Sequence, residues 1–257
     1  MQTRSDRVEG SETDARKEPR MLGEISTEAR PGTEESRPIA ALWHTVLVLL
    51  IQGLLAYRGI LGAQHMREGM SPDRVRLYER TMFSEWTVLA LVLGGVWLHG
   101  SSLRAVLGPR WSSVQQVLRD SGLGILFLVI TITFSSVIGS DHGGHGVSES
   151  AQFLLPRGTF EMGLWVLVSL TAGICEEAIY RGYLQRQFMA LTSSVPAGIL
   201  LSAAMFGAAH SYQGWRQALQ IGVLGAMGGI LAHWCKSVRP GMIAHTLQDL
   251  LGGMMRH

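Results

Sequence analysis

Seven mostly apolar segments recur along the chain, at about residues 39–57, 83–98, 121–139, 162–188, 197–210, 218–234 and 242–255. A helix needs ~20 mostly apolar residues to cross a bilayer. Backbone polar groups in hydrocarbon must bond within their own segment, which leaves helices as the structure for such stretches. The expected fold is therefore all-α, a polytopic transmembrane helical bundle of about seven to eight spans. The fourth segment is longer than a bilayer needs, and the last three are shorter and richer in glycine.

Composition agrees with that reading. The chain is 47% hydrophobic and only 16% charged, against ~25% charged for soluble domains. Its mean hydropathy is +0.19. Residues 1–38 hold much of the charge and almost no large apolar groups, so they are expected to form a disordered tail. They also lack the apolar core of a signal peptide. The net charge of +2 gives no reason to expect a nucleic-acid partner. Cys175 and Cys235 form no paired motif, which argues against a disulfide framework or a cysteine zinc site.

Between the second and third spans, Leu103, Val106, Leu107, Trp111, Val114 and Leu118 recur at helical spacing, with Arg104, Arg110 and Arg119 between them. This pattern predicts an amphipathic helix lying in the membrane interface. Residues 140–150, with His142 and His145, read as a solvated loop. The Lys and Arg of short loops favour an N-terminus on the inside, although Arg67, Arg74, Arg76 and Arg80 in the first loop argue the other way. Gly222, Gly225 and Gly229 are expected to let helices approach closely. His44, His99 and His233 read as packing or interface-anchoring groups, and Trp43, Trp97 and Trp234 as interface residues.

Charge inside apolar segments is the exception that matters. It costs at least about 2.5–3.5 kcal/mol per residue at the bilayer centre. Yet Glu176, Glu177 and Arg181 stand in the fourth segment, His210 ends the fifth, and His245 and Asp249 occupy the last. Glu177 and Arg181 are four residues apart and share a helix face. Glu176 is rotated about 100° from Glu177 and points elsewhere. His245 and Asp249 lie one turn apart, so the carboxylate can orient the imidazole. Such a set suits activation of water against a carbonyl, and equally the holding of a divalent metal. The His-Glu-x-x-His zinc signature is absent.

Three motifs then stand in order: Glu-Glu-Ala-Ile-Tyr-Arg-Gly at 176–182, Phe-Gly-Ala-Ala-His at 206–210 and His-Thr-Leu-Gln-Asp at 245–249. They resemble the CPBP family, the type II CAAX prenyl proteases and bacteriocin-processing relatives also called Abi. The family's patterns are Glu-Glu-x-x-x-Arg, Phe-x-x-x-His and His-x-x-x-Asn/Asp.

The resemblance implies a multi-pass intramembrane endopeptidase, often termed a metalloprotease, in the cytoplasmic membrane of a bacterium. Its peptidase core would be residues 162–255 within a transmembrane domain of 39–257, with the last four spans forming a four-helix catalytic core. The site would open toward the cytoplasm, and its partners would be the lipid bilayer and a peptide or protein substrate. Glu176 or Glu177 with His210 would activate water, Arg181 would position the acids, and His245 with Asp249 would face the oxyanion. The residues fit both a metal such as zinc and a metal-free mechanism. Asp249 stands where the prenyl-protein enzymes usually carry Asn. An ionised Asp would repel an oxyanion, so it must be protonated, orient His245 or bind metal. A prenylated CAAX substrate is not expected. A non-catalytic immunity or scaffold protein of the same fold is the alternative, and an ion transporter is disfavoured by the lack of repeats.

Overall fold

The computed structural model describes residues 37–70, 73–140 and 154–254, and every regular element among them is helical. The expected tail, apart from Arg37 and Pro38, and the loop residues His142 and His145 lie outside the described residues.

Helix α1 spans Leu42–Arg67 and α2 spans Arg74–Leu98. Both run past the expected apolar cores. Asp73 caps α2 by accepting from the Arg76 N–H at 3.1 Å, so Arg74, Arg76 and Arg80 sit in its opening turns rather than in a loop. A single turn, α3 (Arg104–Leu107), precedes α4 (Val114–Ser140).

The expected interfacial helix over 103–118 does not form. Gly108 takes a positive φ of 78°, and Pro109 lacks the N–H a continuing helix would use. Leu103 to Leu107 therefore belong to one short element, and Val114 and Leu118 to the first turns of another.

The fourth segment is one continuous rod, Thr159–Thr192. It consists of α5 (Thr159–Glu176), a π-helical stretch Glu177–Leu184 and α6 (Gln185–Thr192). Then follow α7 (Val195–Ala209), a 3-10 turn Ser211–Gln213, α8 (Trp215–Cys235) and α9 (Arg239–Met254). Ser194 caps α7 by accepting from the Ala197 N–H at 3.3 Å, with Pro196 in the first turn, where its missing N–H costs nothing.

Among the described residues five helices are long and apolar enough to cross a membrane, and α7 is a shorter apolar one. The chain is a multi-pass membrane protein. Half of the rod's apolar window is buried, against 11% of that of α1. The rod is thus the centre of the bundle, while α1 turns Leu42, Val46, Leu50 and Leu54 outward.

Small residues set the distances between helices. A Cβ on Gly173 of α5 would run into Thr246 of α9 and come within 3.0 Å of the Met242 carbonyl. A Cβ on Gly207 of α7 would sit 2.5 Å from the Ala218 carbonyl of α8. Gly222 faces that same contact, as the glycine spacing predicts. Gly182, the last residue of the first motif, has the α3 backbone at Val106 against it.

A buried polar chain locks α1 to the rod. The Gln187 side chain accepts from the Ile39 N–H at 2.7 Å and donates to Thr45 Oγ1 at 2.7 Å. Thr45 Oγ1 is 3.0 Å from the Tyr183 hydroxyl, which is 2.7 Å from His44 Nδ1. Because His44 Nε2 meets the Leu91 carbonyl at 3.1 Å, that nitrogen must donate. Nδ1 therefore accepts from Tyr183. His44 is a packing residue, as expected, and its ring fills the space that Gly95 leaves open.

Candidate active site

The six residues singled out in the sequence converge on one place. The rod brings Glu176, Glu177 and Arg181, the end of α7 brings His210, and α9 brings His245 and Asp249. A π-helical stretch begins at Glu177. Such widened turns inside α-helices are rare and are frequently found at functional sites.

The two glutamates have different surroundings. Glu177 is buried, and its Oε1 lies 2.9 Å from Arg181 Nη1 and 3.3 Å from His245 Nδ1. Gly241 makes room for it, since a Cβ there would sit 2.6 Å from Glu177 Oε2. Glu176 Oε2 instead lies 3.9 Å from His210 Nε2 and 3.8 Å from His245 Nε2. That oxygen is buried with no hydrogen-bond partner of its own. The separations are too long for direct hydrogen bonds and suit one shared water.

The tautomers follow from the partners. His210 Nδ1 is 2.9 Å from the Phe206 carbonyl, so it donates, and neutral His210 presents the Nε2 lone pair toward Glu176. His245 Nδ1 donates to Glu177 and turns Nε2 toward Glu176 and toward Asp249 Oδ2, 3.7 Å away. Trp165 Nε1 donates to the Asp249 carbonyl at 3.0 Å and braces that turn of α9.

Phe206 is the common wall. The Arg181 guanidinium stacks over its ring at 4.1 Å, and the His210 ring centroid is 4.8 Å away. Gly225 and Gly228 of α8 close over the same guanidinium, each leaving it 3.5 Å from where a Cβ would stand. The glycine stripe of α8 thus cradles Arg181 as well as allowing α7 to approach.

Glu85 of α2 was not among the expected residues. It is half-buried and lies within the electrostatic influence of Glu176 and His245. The neighbouring Trp86 fixes α2 against α5 by donating to Thr171 Oγ1 at 3.2 Å. The signal was available: an ionisable residue inside the second apolar segment, the same anomaly that marks Glu176.

A divalent metal is the group the resemblance raises. Among the described residues no three His, Cys, Asp or Glu side chains are gathered as a metal site. The 3.8 and 3.9 Å separations around Glu176 exceed the about 3.3–3.6 Å edges of a tetrahedral shell built on 2.0–2.2 Å bonds. The residues as arranged do not fit a metal.

Residues 158–251 match the family model described as type II CAAX prenyl endopeptidase Rce1-like. The match is shorter than half the chain but contains all six residues of the three motifs. No curated protein and no solved structure matches the chain.

Proposed function

We propose, from the premise that this chain belongs through residues 158–251 to the type II CAAX prenyl endopeptidase Rce1-like family, that it is an intramembrane endopeptidase. Its substrates would be membrane-associated peptides or proteins, and its setting a bacterial cytoplasmic membrane. The observation that carries the reading is Glu176 Oε2 buried between two imidazole Nε2 atoms at 3.8 and 3.9 Å.

In this mechanism a water is held between Glu176 and His210 Nε2. Glu176 takes one proton as the water oxygen attacks the scissile carbonyl carbon, and the carbonyl π-electrons move onto oxygen. His245, fixed through Nδ1 by Glu177, donates from Nε2 in its protonated form to that oxyanion. A donor of this kind contributes about 2.7–4 kcal/mol to transition-state stabilisation. Collapse of the tetrahedral intermediate breaks the C–N bond, and the proton on Glu176 passes to the leaving amine. Arg181 and Glu177 act as positioning residues, and Asp249 orients and charge-balances His245.

The test is cleavage of quenched fluorescent membrane-associated peptides by the full chain in detergent. Glu176→Gln and His210→Ala are each expected to reduce kcat by about 10²–10⁴-fold while the unfolding midpoint holds. Unchanged cleavage in both variants would overturn the site. Peptide binding without cleavage by the parent chain would favour the non-catalytic scaffold.

A further inference from the structure

After His210 the chain makes one 3-10 turn, Ser211–Gln213, before α8 begins. Successive backbone bonds tie it down. The Gln213 N–H donates to the His210 carbonyl and the Gly214 N–H to the Ser211 carbonyl, each at 3.0 Å. Gly214 closes the turn at a φ of 105°, a conformation that favours glycine. Tyr212 is thereby held beside His210, with ring centroids 6.1 Å apart. Gly59 of α1 backs the ring, since a Cβ there would stand 3.5 Å from Tyr212 Cδ1.

The hydroxyl of Tyr212 is only half used. A phenol can donate one hydrogen bond and accept others. Gln213 Nε2 donates to the Tyr212 oxygen at 3.0 Å, and the O–H itself has no acceptor among the described residues. The residue is half-buried in the turn between the apolar helices α7 and α8, and a hydroxyl withdrawn from water needs a partner. It lies within the electrostatic influence of Glu176, Asp249 and Glu85. A donor thus stands beside His210, among the acids of the site.

The site has a place for such a donor. The proposed mechanism gives the oxyanion one partner, His245. An Asn at 249 would offer amide N–H groups next to it, whereas an ionised Asp249 is an acceptor only.

We propose that Tyr212 is a further catalytic residue, whose O–H donates to the developing oxyanion beside His245 and supplies the donor that Asp249 lacks. The inference rests on the peptidase reading. The proton stays on the tyrosine throughout, and the Gln213 amide limits the directions in which the hydroxyl can point.

The test is Tyr212→Phe in the full chain in detergent, which keeps the ring against His210 and Gly59 and removes only the hydroxyl. Loss of one oxyanion donor is expected to lower kcat about 10²-fold, with KM and the unfolding midpoint little changed. In an Asp249→Asn background, where an amide can donate instead, the same substitution should cost less than about tenfold; such non-additivity marks residues that share a function. Equal losses in the two backgrounds, or an unchanged kcat in Tyr212→Phe, would overturn the proposal. Binding of a peptide with a phosphinate in place of the scissile amide is measured alongside, because its anionic oxygen on a tetrahedral centre imitates the intermediate. Tyr212→Phe should weaken it roughly tenfold. No phosphinate binding by the parent, or equal binding by parent and variant, also overturns the proposal. This readout needs no turnover, so absence of cleavage by the parent chain would sink the peptidase reading separately.

Discussion

Arg181 Nη1 lies 2.9 Å from Glu177 Oε1, with the two side chains only 4% and 5% exposed. The pair follows from local helix geometry, and its isolation from water follows from Phe206 and the α8 glycines. Taking one member away leaves a buried charge without its partner. Arg181→Gln should therefore cost about 3–5 kcal/mol of stability, read from denaturant unfolding in detergent. A loss below about 1 kcal/mol, the range of exposed pairs, would contradict a buried pair.

Gly241 separates placement of Glu177 from its chemistry. An added methyl would sit 2.6 Å from Glu177 Oε2, and the carboxylate is pinned by Arg181 and His245. In Gly241→Ala the acid must shift, and a misplacement of about 1 Å in such a site costs about 10²-fold in rate. We expect kcat to fall by that order with the helical circular dichroism signal retained. Parent-level kcat would show that the carboxylate adjusts without consequence.

Asp249 can be tested against the family pattern. Its Oδ2 lies 3.7 Å from His245 Nε2, and an Asn there keeps an acceptor oxygen beside the imidazole. Asp249→Asn should hold kcat within about tenfold of the parent, whereas Asp249→Ala, which removes the orienting oxygen, should lose about 10–100-fold, the usual cost of deleting such a partner. Equal losses in the two variants would mean that the charge of Asp249, not its geometry, is what matters.

Glu85 predicts an effect on rate from a helix outside the family match. Its carboxyl group lies within the electrostatic influence of Glu176 and His245. Glu85→Gln keeps the shape and removes the ionisable group. The expected result is a kcat about tenfold lower, equivalent to about 1.4 kcal/mol, with KM and the unfolding midpoint little changed. An unaltered kcat would remove Glu85 from the site.

The Gln187 network makes a prediction about stability. Its amide serves the Ile39 and Ala40 N–H groups, the Ala40 carbonyl and Thr45 Oγ1. Gln187→Leu leaves buried polar groups without partners, at about 1–3 kcal/mol each. Denaturant unfolding should show a loss of at least that size, while exposed α1 variants such as Leu50→Ala should be nearly neutral.

Much of this was legible from residue order. Apolar length located the helical segments, and the Glu177–Arg181 pair followed from a four-residue spacing. The three motifs named six residues that the fold brings close together. The break at Gly108–Pro109 was equally local, and the apolar spacing of residues 103–118 masked it.

Other features depend on how one helix is rotated and placed along another. That His245 meets Glu177 follows from Gly173 and Gly241, which let α9 close on the rod. Glu85 comes under the influence of Glu176 and His245 because α2 docks on α5, a relation that no spacing within α2 encodes. The Gln187–Thr45–Tyr183–His44 chain joins residues more than a hundred positions apart. Sequence by itself thus determined the elements and the chemistry they carry, because helical periodicity and the cost of intramembrane charge are local. Only tertiary structure decided that Glu176 is the acid between the imidazoles and that Glu177 also meets His245, because interhelical distance is set where two surfaces meet.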